Sequence, residues 1–148
     1  MEAGEEAISP VMLVMADAFA PEFGEAWTES QLRSMVGLPS TRLYVARLAD
    51  SIGGFCFTRH AGDEEEILLV AVSRAARRNG VASALIHHAM AIGRCQGRTR
   101  MFLEMRQGND AEFLYEKMGF QIVGRRPAYY RGIDGKQFDA LTMAADII

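Results

Sequence analysis

The apolar run Ile67–Val72, ILLVAV, is followed by a basic segment, by the amphipathic stretch VASALIHHAMAIGRC, and then by a second apolar run, MFLEM. Six apolar residues without alternation read as a strand covered on both faces, and therefore as a central one in its sheet. Val81, Leu85, Ala89 and Ile92 recur three or four apart, which sets them on one face of a helix. A strand, a helix and a strand in that order impose a right-handed crossover between two parallel strands. That unit commits the chain to a mixed α/β fold.

The remaining elements arrange themselves around it. Ser9 and Pro10 precede VMLVMADAFA, a first helix with Ser9 as the expected cap and the proline in the first turn. In TESQLRSMV, Thr28 and Gln31 have the spacing of a capping box, and Gly37 is placed to end the helix. TRLYVARL and GFCFTRH flank the turn ADSIGG and predict a β-hairpin; the acidic GDEEE then leads into ILLVAV. NDAEFLYEKMGF predicts a short helix closed by Gly119, and FQIVGRR and KQFDALTMA predict strands around the turn-rich YYRGIDGK. The predicted order is two helices, three strands, helix, strand, helix and two strands. With 148 residues, about half of them apolar, residues 1–148 are expected to form one domain.

Charge and cysteine usage narrow the function. A net charge of -3 argues against a chain that neutralises phosphates along a nucleic acid, so no direct nucleic-acid partner is expected. Cys56 and Cys95 lack metal-ligand spacing and read as reduced thiols, and His60, His87 and His88 are badly spaced for one metal, so no metal is expected. The N-terminus opens with acids, and no apolar stretch reaches membrane-spanning length. A cytoplasmic protein without a membrane partner is the expectation.

The helix entry RRNGVAS has two readings. A helix N-terminus offers unpaired N–H groups and partial positive charge, so a diphosphate there gains hydrogen bonds and a favourable dipole interaction. Arg77 and Arg78 add charge, and Gly80 brings backbone close without a Cβ in the way. The alternative is an ordinary loop-to-helix turn with solvated arginines. The segment lacks both the lysine-serine or lysine-threonine ending of an ATP-binding loop and the three glycines of a dinucleotide fold.

ILLVAV, then RRNGVA matching an R/Q-x-x-G-x-G/A signature, then FLEMRQGN and FLYEKMGF together resemble the GNAT superfamily of N-acetyltransferases. Within it, LEMR, LYEKMGF and GRRPAYYR resemble the RimI-type enzymes, which acetylate the N-terminal amine of a small-subunit ribosomal protein. The resemblance runs from about Glu64 to Met143 and is weak over the N-terminal third. It implies a mostly antiparallel central sheet with one splayed parallel strand pair and flanking helices. It implies acetyl-CoA as cosubstrate, with the backbone of Val70, Ala71 and Val72 pairing with the pantetheine arm. The loop of Arg77, Arg78, Asn79, Gly80, Val81, Ala82 and Ser83 would hold the diphosphate, and Asn109 would contact the coenzyme.

The chemistry needs a neutral amine, yet an α-amino group with a pKa of about 7.7–8.0 is mostly protonated at pH 7. The resemblance makes Glu104 the proton acceptor; by itself Glu104 also reads as a strand glutamate paired with an arginine. It makes Tyr115 the proton donor to the departing thiolate, against a tyrosine packed at the core's edge. A phenol near 10 protonating a thiol near 8.5 is uphill by roughly 2 kcal/mol, so Tyr115 would share its proton through a hydrogen bond unless its pKa is tuned. A backbone N–H of the ILLVAV strand would stabilise the oxyanion, and direct attack in a ternary complex is expected.

Three features depart from the relatives. Asn109 to Tyr115 is six positions where seven are usual, so Tyr115 keeps its register better than Asn109 does. Ser73-Arg74 replaces a common Asp-Pro turn, and the segment before the first helix is only about eight residues, which predicts an incomplete sheet edge or an added partner. Trp27, Tyr129 and Tyr130 resemble aromatics lining a peptide-binding side, with local packing as the alternative. The expected acceptor is a protein N-terminus, that of a ribosomal protein. A small amine, an antibiotic or a lysine side chain is the rival acceptor, and a non-catalytic acyl-CoA sensor the rival of another class.

Overall fold

Alternation along the strands sorts side chains onto the two faces of one seven-stranded sheet, in a computed structural model that describes residues 2–147. The strands are β1 (Glu2–Ala3), β2 (Thr41–Leu48), β3 (Ser51–Ala61), β4 (Glu64–Val72), β5 (Arg100–Arg106), β6 (Gln121–Arg131) and β7 (Gln137–Asp146). Their order is β1-β2-β3-β4-β5-β7-β6, so the ILLVAV strand is the middle one. Every neighbouring pair is antiparallel except β4 and β5.

Four helices cover the sheet: α1 (Ile8–Ala18), α2 (Glu29–Met35), α3 (Val81–Cys95) and α4 (Glu112–Lys117). Leu43, Phe55, Phe57, Leu69 and Ala71 pack with α1 and α2 on one face. Tyr44, Cys56, Ile67, Met101, Leu103 and Met105 pack with α3 and residues of α4 on the other. A run of Phe55, Cys56 and Phe57, each fully buried, therefore feeds two cores at once.

Several boundaries differ from the sequence expectation. Helix α1 begins at Ile8 with Ala7 at its N-cap, so Ser9 lies inside the first turn and is not the cap; Pro10 is in that turn as expected. A 3-10 turn over Glu5–Ala7 leads in, and the burial of Ala7 and Ile8 against the sheet sets the start in place of a side-chain cap. The capping box of α2 is present in both directions, Gln31 N–H to Thr28 Oγ1 at 3.1 Å and Thr28 N–H to Gln31 Oε1 at 2.7 Å. The N-terminal segment retains a two-residue strand, pairing Glu2 with Tyr44 and Ala3 with Leu43. The acidic residues from Glu64 onward already belong to β4, where Glu65 is buried.

Strand β6 also runs further than expected, through Pro127 to Arg131, leaving a shorter turn after YYR. It is an edge strand, where a proline lacking an N–H is tolerated. Its pairing with β7 is interrupted between Arg126 and Tyr130 by a bulge. Asp139 brackets that bulge: Oδ1 accepts the Ala128 N–H at 2.8 Å, and Oδ2 accepts Arg125 Nε at 2.8 Å. The bulge turns the following tyrosine toward the interior.

Strands β4 and β5 part company midway. They pair from Glu64 opposite Arg100 to Ile67 opposite Leu103 and no further, although β4 continues to Val72 and β5 to Arg106. At the same level the β3–β4 register shifts, Phe57 facing Leu69 and Thr58 facing Ile67, so Leu68 is the extra residue of a bulge. A gap opens there between the two strands.

Candidate active site

The gap exposes one edge of β4. Ser73 N–H donates to Gly53 C=O at 2.8 Å, which fixes the alternation of the β3–β4 ladder. In an antiparallel pair the residues bonded across the ladder alternate with those that are not, so Ala71, opposite Phe55, turns its N–H and C=O to β3. Val70 and Val72 turn theirs to the gap. Arg77 Nε donates to Val72 C=O at 3.3 Å, and Arg77 Nη2 to Ala18 C=O at 3.1 Å. That side chain thus ties the end of α1 to the end of β4 and points back toward the gap.

Beyond Arg77 the chain enters α3. Arg78 and Gly80 both have positive φ, 66° and 72°, and Gly80 is the N-cap with no side-chain cap bond. Asn79 Nδ2 donates to the carbonyls of Ala76 and Arg77, holding the loop. Nothing within 4 Å would meet a Cβ at Gly80, and the first amides of a helix have no acceptor within it. Arg78, Asn79 and Gly80 are exposed, Val81 is buried, and Ala82 and Ser83 are half-buried. The segment makes an open, basic rim beside the gap, suited to an anionic group.

Two clefts meet at the gap. One, of about 670 Å³, is bordered by Val70, Ala71, Arg74, Arg77, Arg106 and the 108–111 turn. The other, of about 480 Å³, is bordered by Trp27, Glu66, Leu68, Glu104, Tyr129 and Tyr130. Phe19, Glu25, Val70, Asn109 and Tyr115 border both.

Glu104 and Tyr115 approach the gap from opposite faces of the sheet. Glu104 alternates with Leu103 and Met105, whose side chains enter the α3 core, so its carboxylate lies on the α1/α2 side. There Oε1 receives Arg126 Nε at 2.8 Å, and the Glu104 carbonyl accepts the Tyr130 hydroxyl at 3.4 Å. Tyr115 comes from α4 on the α3 side and is buried. Its helix ends in a Schellman motif, Phe120 N–H to Tyr115 C=O and Gly119 N–H to Glu116 C=O, both 3.0 Å. The accompanying apolar contact is the edge-on packing of the Phe120 and Tyr115 rings, 5.9 Å apart. Burial first, then the Cys56 and Glu25 charges, pushes the Tyr115 phenol well above the usual tyrosine range.

Asn109 does not reach into the gap as a free ligand. Its Nδ2 donates to Glu25 Oε2 at 3.2 Å, and its Oδ1 accepts the Ala111 N–H at 2.9 Å. Both ends of its amide are thus engaged at the start of α4. Trp27 packs edge-on against Phe57 at 6.0 Å, and Tyr129 stands edge-on to Tyr130 at 5.0 Å. Trp27, Tyr129 and Tyr130 all border the smaller cleft, and Trp27 also packs against the core on the α1/α2 side.

Sequence reasoning missed Glu25. It accepts Arg106 Nε at 3.2 Å in a pair whose side chains are only 12% and 10% exposed, and the Arg106 guanidinium lies 3.7 Å over the Phe23 ring. The local signal was a glutamate next to Gly24 in a turn-rich connection, which by itself reads as a solvated loop. Glu66, paired with Arg59 at 2.7 Å, was read only as part of an acidic run. Among the described residues no three His, Cys, Asp or Glu side chains converge as metal ligands. Among the described residues no helix is long and apolar enough to cross a membrane.

A family model described as an acetyltransferase (GNAT) domain matches residues 39–122. The [ribosomal protein bS18]-alanine N-acetyltransferases of Escherichia coli K12 and Haemophilus influenzae are 33% and 30% identical over 97 and 95 residues. These matches cover 65% and 64% of this chain, and the chain spans 65% of the length of each relative. The crystal structure of the Escherichia coli ribosomal-protein-S18-alanine N-acetyltransferase superposes with a TM-score of 0.89 at 26% identity, over 99% of this chain and 92% of that one. Ard1 from Thermoplasma volcanium superposes with a TM-score of 0.80 at 29% identity, over 100% and 96%.

Proposed function

The chain belongs to the GNAT family of acetyltransferases, and from that premise we propose that it transfers an acetyl group from acetyl-CoA to the N-terminal α-amine of a protein. The observation that carries the reading is that Glu104 and Tyr115 line one cleft from opposite faces of the sheet, at a gap between two parting parallel strands where a second cleft adjoins. The larger cleft takes the pantetheine arm against the free backbone groups of Val70, with the diphosphate on the rim from Arg78 to Ser83. The smaller cleft takes the acceptor.

A cationic amine fits that second cleft, whose walls carry Glu25, Glu66 and Glu104 between the aromatic rings of Phe19, Trp27 and Tyr130. Glu104 accepts the ammonium proton, directly or through water, and leaves the lone pair free to attack. Backbone N–H groups of β4 at the gap stabilise the charge that develops on the carbonyl oxygen. Tyr115 stays protonated across the neutral range because of its burial, so it serves the departing thiolate as a hydrogen-bond donor. No thiol takes part: burial pushes Cys56 up to about 12, and neither cysteine borders the clefts. Attack is therefore direct, within a ternary complex.

The acceptor class follows from the relatives, named for acetylating the alanine of ribosomal protein bS18, and from a cleft that reaches the surface at Tyr129. An acetyl-transfer assay on N-terminal peptides of small-subunit ribosomal proteins, peptides with only a lysine amine, and polyamines decides the matter. Turnover is expected on the α-amine peptides; activity confined to lysine or small amines would overturn the acceptor, and none on any amine would overturn the enzyme.

A further inference from the structure

We propose that Glu25 is a positioning residue for Tyr115, holding the first turn of α4 through Asn109; this rests on the reading of Tyr115 as the hydrogen-bond donor to the leaving thiolate. A continuous chain of bonds links the two. Glu25 Oε2 accepts Asn109 Nδ2 at 3.2 Å, Asn109 Oδ1 accepts the Ala111 N–H at 2.9 Å, and the Ala111 carbonyl accepts the Tyr115 N–H at 3.1 Å. The Glu25 end is anchored by Arg106 Nε at 3.2 Å.

Helix α4 needs such an anchor. It has six residues, too few to hold a helical turn on its own, and its N-cap Ala111 has no side chain able to cap it. The Schellman motif fixes only the far end, at Gly119 and Phe120. The near end is set from the α1–α2 connection, a segment that itself docks on the β6–β7 turn: Ile133 N–H donates to Pro21 C=O at 3.2 Å, and the Gly24 main chain lies against the Arg131 carbonyl. The wall of the acceptor cleft thereby sets where the phenol on the coenzyme side stands.

Steady-state kinetics of the intact protein test this. Glu25→Ala is expected to lower kcat about tenfold while the KM for acetyl-CoA stays within about twofold. Glu25→Gln keeps an oxygen for Asn109 Nδ2 and is expected to restore most of kcat. Asn109→Ala removes the middle link, leaves the Glu25–Arg106 pair in place, and should reproduce the Glu25→Ala pattern. In a Tyr115→Phe background Glu25→Ala should cost no more than about twofold. Equal losses in both backgrounds, or a rise in the acetyl-CoA KM at unchanged kcat, overturn the proposal. Amide hydrogen exchange gives a readout independent of activity: Glu25→Ala should speed exchange at Ala111 and Tyr115 and leave β3 unchanged. If the wild-type protein acetylates no amine, the proposed function falls while the exchange result still decides the positioning, and unchanged exchange overturns it.

Discussion

Arg126 Nε rests 2.8 Å from Glu104 Oε1, so the proposed proton acceptor is already held by a cation of its own chain. The two ends of this pair differ: the arginine side chain is 60% exposed and the glutamate 14%. Solvent around the guanidinium screens the pair, which leaves the arginine free to give way to an ammonium entering the cleft. The guanidinium also sits 5.3 Å from the Tyr129 ring, a second resting place once it is displaced. Glu104→Gln is expected to lower kcat about 100-fold or more. Arg126→Gln should lower the acceptor KM a few-fold by removing the competitor; an unchanged or raised KM would show that the arginine does not compete.

Gly24 and Gly132 lock two segments together. A Cβ on Gly24 would lie 1.8 Å from the Arg131 carbonyl oxygen, and one on Gly132 would lie 1.6 Å from that of Glu22. Gly24 also has φ +69°. Either glycine replaced by alanine should destabilise the protein by about 3 kcal/mol, read from urea unfolding midpoints. A control at Gly97, where a Cβ meets nothing within 4 Å although φ is positive, should lose less.

Coenzyme binding is expected to depend on the open rim at the start of α3. Gly80→Glu puts a negative charge beside the helix N-terminus, where the diphosphate would lie, and adds strain at φ 72°. A rise in the dissociation constant for acetyl-CoA of tenfold or more, with an unchanged circular dichroism spectrum, is the expected calorimetric outcome. Equal affinity would remove the diphosphate from this rim.

Buried Tyr44 and Tyr115, with half-buried Tyr130, give the protein an alkaline limit. Burial pushes Tyr44 up to about 12 and Tyr115 and Tyr130 further still, against about 10 in the unfolded chain. Above pH 10 the unfolded chain releases these protons first, so the folded state binds more protons and stability falls as pH rises. Below about pH 10 the contribution is fully present. Unfolding midpoints at pH 8.5, 10 and 11 should therefore drop only over the upper interval. Among the described residues the buried Tyr44 hydroxyl has no hydrogen-bond partner, so Tyr44→Phe should match or exceed wild-type stability by up to about 1 kcal/mol and flatten the alkaline slope.

What could be read from the sequence was local. The Thr28–Gln31 capping box and the Tyr115–Phe120 helix end depend on residues three to five apart, and both motifs carry their own spacing. Ile67–Val72 gave its central place through composition alone. The start of α1 was misread because burial of Ala7 and Ile8 overrode the cap signal at Ser9. The reach of β6 past Pro127 was hidden because Asp139, eleven residues beyond Ala128, holds the bulge. Glu25 was invisible for the same reason on a larger scale: its partners Arg106 and Asn109 lie 81 and 84 residues away. The shortening before Tyr115 was legible as a count, but where Asn109 turned its side chain was not.

The close approach of Gly24 to Arg131 and of Gly132 to Glu22 has a consequence for descent as well as for shape. Where two main chains touch with no side chain between them, neither segment has room to drift alone. A lineage that gains a side chain at either position must re-route the other segment too. The first connection and the last hairpin should therefore be inherited as a matched pair, and acceptor preference should change between lineages in jumps, when both are exchanged together.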